Sequence, residues 1–232
     1  MGLTLTQKIV TEHLVGGRVE PGEEIVLRVD QTLLREAPLG VPCLQIERMD
    51  CLPPDNGIPT RTHLERLAVP GQTLLGADGP TPACGALAML AIIARDADIA
   101  AARAGQPFRL TMPRTVHVRL AGRLRPGVAA PDLVLGLPNQ HPVPDSFGYV
   151  LEYGGPGAAT LTVPERAAIC SLAAEMGATT SIFPSDAQAR AYLRDRGRED
   201  VWQPLAADLD AAYDETIPLD LGQLEPARSK TS

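Results

Sequence analysis

Apolar residues recur along this chain in short blocks whose period keeps changing. Ile9, Val10 and Leu14 follow Thr4 and Gln7 at helical spacing, with the Thr–Gln pair at capping-box separation and Gly16-Gly17 as a stop, which predicts an opening helix. After the Pro21-Gly22 turn, Ile25 to Val29 reads as a short strand. Thr32 to Pro59 has little period and much proline, and reads as loop with a short helix near Leu44–Met49. Thr73-Leu74-Leu75 is a buried strand, and the Ala/Leu/Ile-rich run Ala83 to Ala104 predicts a long helix with a break point near Arg95–Asp98. From Thr115 to Leu124 the period becomes two, with Val116, Val118 and Leu120 against His117 and Arg119, the mark of a half-buried strand. Tyr149–Tyr153 and Ser181–Phe183 read as strands and Thr160–Val163 as extended. Pro164 opens a helix closed by Gly177, Ser185 or Asp186 caps another to about Arg196, and a last strand lies near Ile217–Leu221. Alternating strands and helices predict an α/β fold with a largely parallel sheet. The Pro-rich stretch divides the chain into 1–125, a connection at 126–148, and 149–232, which together could still form one unit.

Composition narrows the function classes. With 232 residues, 44% of them hydrophobic, there is material for a core, and only eight aromatics (one Trp, four Tyr, three Phe) to fill it. A net charge of −7 argues against a nucleic-acid surface. No apolar run reaches the length of a membrane span, and the N-terminus lacks a secretory signal, so a cytoplasmic protein without membrane partners is expected. Arginine outnumbers lysine 19 to two, a bias associated with GC-rich bacterial genomes. Cys43, Cys51, Cys84 and Cys170 are scattered, with no C-x-x-C pair, so they read as small buried hydrophobes rather than metal ligands.

Several strings carry more than periodicity. MGLTLTQKI (1–9), PGEEI (21–25), VDQTL (29–33), NGI (56–58), HLERL (63–67), VPGQTLLGAD (69–78), EYGGPG (152–157), VPERA (163–167), AAEMGATTSIFPSD (173–186) and YDETIPLDLGQLEP (213–226) together resemble the aconitase superfamily. The nearest likeness is to large subunits of isopropylmalate or homoaconitate dehydratases. The resemblance implies a reduced aconitase-like α/β/α core and chemistry that adds or removes water on hydroxy acids. In that family a [4Fe–4S] cluster acts as Lewis acid, held by cysteines of a GSCTN-type and a C-x-x-C motif. Both motifs fall downstream of the region matched here, so no cluster ligand is carried over, no metal ligand is assigned, and cofactor-independent chemistry is expected. Departures go further: the family's GSDSHT is Gly76-Ala77-Asp78-Gly79-Pro80-Thr81 here, Arg35-Glu36 stands for a Gln-Asp pair, and NGI is followed by Pro59, Thr60 and Arg61 where the family has a His-Gln pair.

Asp78 and Glu175 are the surviving active-site positions, and they are the candidate acid/base pair, with His63 as the nearest imidazole. Arg35 and Arg61 are candidate carboxylate anchors, and Thr60, Gly79, Thr81, Thr180 and Ser181 candidate ligand contacts. Structural roles stay open for each: Asp78 as a cap, Glu175 as a loop-holding carboxylate, the arginines as solvated surface. His13 and His117 fall on exposed-looking faces, and His141 has no assigned role. Three functions compete. One is a cluster-free lyase or isomerase of specialised bacterial metabolism, which dehydrates, isomerises or cyclises a small carboxylic acid or carbonyl compound. The second is a non-catalytic acid-binding relative, and the third is one subunit of a split dehydratase. Apolar surface left uncovered by a reduced fold would favour a homodimer.

Overall fold

The computed structural model describes residues 2–33, 44–46, 59–77, 79–140 and 148–226. Thr4 Oγ1 accepts from the Gln7 amide and the Gln7 side chain accepts from the Thr4 amide, so α1 (Leu5–His13) starts at the predicted capping box. It ends earlier than the glycines suggest, because Leu14 turns extended and opens β1 (Leu14–Gly16), which pairs antiparallel with β2 (Glu24–Leu27). β3 (Gln31–Leu33) follows. The helix expected near Leu44–Met49 is instead a strand, β4 (Leu44–Ile46), over its first three residues, its backbone laddered antiparallel on β3; positions 47–49 lie outside the described residues. Then come α2 (Pro59–Arg66) and β5 (Thr73–Gly76), parallel to β3.

The predicted long helix over Ala83–Ala104 is three elements: a 3-10 turn at Thr81–Leu87, β6 (Leu90–Ile93) and α3 (Asp96–Arg103). Two contacts break it. A Cβ on Gly85 would fall on the Ser181 carbonyl, and the Gly85 carbonyl accepts from Phe183 N at 2.9 Å. Ala88 then takes a left-handed conformation (φ 59°) that redirects the chain into the ladder with β5. An all-apolar run gives no polar face from which to read its period.

β7 (Phe108–Thr111), which no sequence signal marked, pairs antiparallel with β2. β8 (Arg114–Ala121) alternates as predicted, burying Val116, Val118 and Leu120. The Pro-rich stretch read as connection carries a helix, α4 (Asp132–Gln140); Asp132 accepts from Ala129 N at its start, and Leu133, Val134 and Leu137 are buried. β9 (Tyr149–Gly154) is followed by a 3-10 turn at Ala158–Thr160, which takes only the first residue of the stretch expected to be extended; Leu161 and Thr162 are extended, and then come α5 (Val163–Glu175), β10 (Thr180–Ile182), α6 (Ala187–Arg194) and β11 (Glu215–Asp220).

The class is α/β, as the alternation predicts. Its strands form three sheets: a wholly parallel β10-β9-β8-β11, a β4-β3-β5-β6 sheet that is parallel except at β4, and the antiparallel β1-β2-β7. The 126–148 stretch joins β8 to β9, which are neighbours in one sheet. Val118, Leu120, Leu151, Tyr153, Ile217 and Phe183 pack with α4 and α5 on one face of that sheet. Its other face meets α1 through Val150 and Ile182, where the antiparallel sheet and β6 also pack. A third cluster joins α2, the Thr81–Leu87 turn and α6. No helix of the described residues is long and apolar enough to cross a membrane.

Candidate functional site

β3 and β5 run parallel, with Leu33 opposite Gly76, and the chain leaves their carboxyl ends toward positions 35 and 78. Ends of this kind, beside adjacent parallel strands, are where α/β folds gather ligands. Asp78 and Arg35 themselves lie outside the described residues. The chain on either side of Asp78 is described, from Pro59 to Ala77 and from Gly79 on. Thr81 lies directly over Gly76, so close that any Cβ there would meet its side chain, which is why glycine ends β5. Four residues on, Gly85 abuts the Ser181 carbonyl of β10. The Thr81–Leu87 turn thus spans the junction between the two mostly parallel sheets.

A side-chain tie crosses the same junction: the Thr180 hydroxyl donates to the Ala91 carbonyl of β6. Ile93, two residues along β6, pairs with Gly76. Five residues before Thr180, Glu175 ends α5 and is exposed. The two carboxylate candidates therefore depart from elements fastened together through β6. Gly79 is half-buried with open space where a Cβ would stand.

Two sequence candidates share an unusual feature. Thr81 Oγ1 and both ring nitrogens of His63 are buried without a hydrogen-bond partner. Buried polar atoms are rarely left so, and such groups are either strained or wait for a ligand or water. The Ser181 hydroxyl, by contrast, is engaged by the Cys170 thiol and the Tyr153 hydroxyl. His63, on α2 and fully enclosed, is pushed down to about 4 by burial and by the nearby Arg198 guanidinium. At neutral pH it is an uncharged imidazole, unable to serve as a cationic acid. Arg61 points to solvent, 77% exposed, and pairs with Glu65 at 3.0 Å. That contact is an ordinary i,i+4 surface pair, not an anchor facing the junction. Thr60 is on the same helix, and its side chain is outside those described.

The described residues do not fit an iron–sulfur cluster. Cys84 and Cys170 are both fully buried, and burial pushes both thiols up, Cys170 to about 12, so neither is the thiolate that iron takes as a ligand. No group of three or more His, Cys, Asp or Glu able to hold a metal occurs among the described residues. Cys43 and Cys51 lie outside them.

Three buried polar clusters escaped the sequence reading. Glu152 of β9, 2% exposed, accepts from Leu5 N, Thr6 N and Thr6 Oγ1 (each 3.0 Å) and from the Tyr213 hydroxyl at 2.6 Å. His117, its register partner on β8, stacks on Tyr213 at 4.4 Å between ring centroids. Arg166, also fully buried, forks onto both oxygens of Asp186 (2.6 and 3.0 Å) and donates to the Ala158, Leu161 and Pro184 carbonyls. His13, expected on an exposed face, is 4% exposed: its Nε2 lies 2.7 Å from Asp30 Oδ2 and its Nδ1 2.7 Å from the Ile9 carbonyl. Of these residues only Glu152 sits within an otherwise apolar block, Tyr149–Gly154, a signal that could have found it.

The family model "Aconitase family (aconitate hydratase)" matches residues 7–231. A putative mitochondrial aconitate hydratase of Emericella nidulans is 39% identical over 186 residues. From Saccharomyces cerevisiae, a mitochondrial aconitate hydratase is 36% identical over 181 residues and a mitochondrial homocitrate dehydratase 36% over 183. Each similarity covers 75% of this chain and 23% of the relative, so the chain spans about a quarter of the length of these proteins.

Proposed function

The chain belongs to the aconitase family, and from that premise we propose that it acts on a small hydroxy or unsaturated carboxylic acid by acid/base addition or removal of water. In the dehydrating direction one carboxyl group of the Asp78–Glu175 pair takes the proton from the carbon beside the substrate's carboxylate. The other delivers a proton to the departing hydroxyl, so a hydroxy acid becomes an unsaturated acid plus water. Arg35 holds a substrate carboxylate. Arg61 is left out of the proposal, since Glu65 already engages it at the surface. No step passes through an iron–sulfur cluster. What supports the reading is the junction at the Thr81–Leu87 turn, where the unpartnered hydroxyl of Thr81 is buried between the elements that lead to the two carboxylates.

The test is turnover of citrate, isocitrate and homocitrate, followed by the ultraviolet absorbance of the unsaturated product. Asp78→Asn and Glu175→Gln should each lower turnover about 100-fold or more while the fold persists. Unchanged turnover in both would overturn the assignment. A second reading, binding without conversion, is favoured by the enclosed, uncharged His63, which is no imidazolium acid at neutral pH. A thermal midpoint raised by these acids without any turnover would select it.

A further inference from the structure

A cavity of about 520 Å³ opens beside the amino end of β3, between β1, the β2–β3 connection and the turn after α3. Its volume is within the range of sites for small organic molecules. Val15, Val29, Ala102 and Pro107 give it an apolar wall, and Arg28 and Asp30 bring opposite charges to it from one short connection. Arg103 also reaches the lining, but it is engaged elsewhere and the site does not call on it.

The two oxygens of Asp30 are used unequally. Oδ2 accepts from Thr73 N (2.8 Å) and Thr73 Oγ1 (3.0 Å) and lies 2.7 Å from His13 Nε2. Oδ1 accepts no hydrogen bond among the described residues: Arg28 Nε stands 3.8 Å away, beyond hydrogen-bond reach. Burial opposes the charge on Asp30, yet hydrogen bonds from His13 and Thr73 hold its carboxyl below its ordinary value, so it is an anion at neutral pH. The exposed Arg28 guanidinium likewise donates no hydrogen bond among the described residues. A cation and an anion thus stand side by side on the cavity, each with unused hydrogen-bonding capacity. A dicarboxylate would bring a second anion against Asp30, and a diamine a second cation against Arg28. A zwitterion satisfies both.

We propose that this cavity is a second ligand site, taking an α-amino acid with an apolar side chain. The ligand's ammonium donates to Asp30 Oδ1, its carboxylate accepts from the Arg28 guanidinium, and its side chain lies against Val15 and Ala102. An α-amino acid carries both charged groups on one carbon, which suits a cation and an anion held 3.8 Å apart. The site stands at the end of β3 opposite the one that leads to Arg35, so it is independent of the proposed reaction.

Calorimetric titration of the whole chain with L-leucine, isocaproate and isopentylamine tests it, the last two each lacking one of the charged groups. L-leucine should bind saturably, and each analogue about tenfold or more weakly than it. Arg28→Gln should weaken L-leucine by a similar factor, and Arg28→Lys by less, since lysine keeps the charge but loses the fork. Arg28 is exposed, and an unchanged thermal midpoint checks that its variants fold. Asp30 also braces His13 and Thr73, so the ammonium contact is read from isocaproate and not from a substitution. Asp78→Asn and Glu175→Gln should bind L-leucine as the native chain does. Absence of saturable binding, an analogue bound as tightly as L-leucine, or binding unaffected by Arg28→Gln would overturn the site. So would loss of binding in Asp78→Asn or Glu175→Gln, which would move the ligand to the other end of β3. Absence of turnover in a native chain that binds L-leucine would overturn the proposed reaction alone.

Discussion

The two ends of α1 are fastened to different sheets by opposite means. At its amino end the Leu5 and Thr6 amides donate to Glu152 of the wholly parallel sheet, whose four partners are all uncharged donors. At its carboxyl end His13 meets Asp30, the residue that leads into β3 of the other sheet. A carboxylate at the start and an imidazolium at the finish both match the helix dipole. The chemistry differs in one respect that decides behaviour. Glu152 is held by donors that carry no charge, whereas the His13–Asp30 pair is held by charge on both partners. Burial alone does not make a polar contact permanent; the ionisation of its partner sets the pH range over which it holds.

The largest effect should come from the amino end. Glu152→Ala strips acceptors from two helix amides and the Thr6 hydroxyl in a buried setting, and should cost about 3 kcal/mol or more, read by urea unfolding. Glu152→Gln keeps an acceptor oxygen and should cost roughly half as much. A loss below about 1 kcal/mol for the alanine variant would mean that α1 is held by apolar packing and not by this cap.

The carboxyl end should respond less, and with pH. Burial disfavours both charges, but the contact with Asp30 and the Ile9 carbonyl raises His13 above 6.5, and the contacts with His13 and Thr73 lower Asp30 below 3.8. A raised histidine contributes fully below its unfolded value and loses that contribution as pH rises through the folded one. A lowered aspartate contributes above its unfolded value and loses it as pH falls through the folded one. The native chain should therefore exceed His13→Ala in stability by about 2 kcal/mol between roughly pH 4 and 6.5, with the gap closing on either side. Denaturation midpoints at pH 3, 5.5 and 9 check this, and a gap that ignores pH would show that His13 acts by packing alone.

These contacts also mark how far the sequence could be read. The amino cap of α1 was legible because Thr4 and Gln7 are three positions apart and the motif is local. The anchors were not, since Thr6 and Glu152 are 146 positions apart and Asp30 reaches His13 only once the β1–β2 hairpin has formed. The run from Ala83 to Ala104 was misread for a related reason: residues 83–92 are buried on every side, so no polar face distinguishes helix from turn and strand. Of the candidate site, the strings around Thr81, Glu175 and Ser181 were legible by likeness. Their wording could not separate residues that meet a ligand from residues such as Arg166 in VPERA, which locks α5 to Asp186. Asp78 and Arg35 lie outside the described residues.

The smallest expected effect separates the two contributions at the amino end. The Tyr213 phenol donates to Glu152, and burial together with the Glu152 carboxylate raises it above its ordinary value, so it remains a donor throughout the accessible range. Tyr213→Phe removes that one hydrogen bond and keeps the ring stacked on His117. Glu152 retains three other donors, and the loss should be about 1 kcal/mol, well under that of Glu152→Ala. His117 supplies an internal probe by NMR titration: burial lowers it, while the Glu152 charge pulls it back up. It should titrate below 6.5 in the native chain and fall further in Glu152→Gln, where that charge is gone. If Tyr213→Phe cost as much as Glu152→Ala, the phenol and not the helix amides would be the principal partner of Glu152. The amino end of α1 would then be tied through the 205–214 segment, and the contrast between its two ends would rest on a tyrosine rather than on the helix itself.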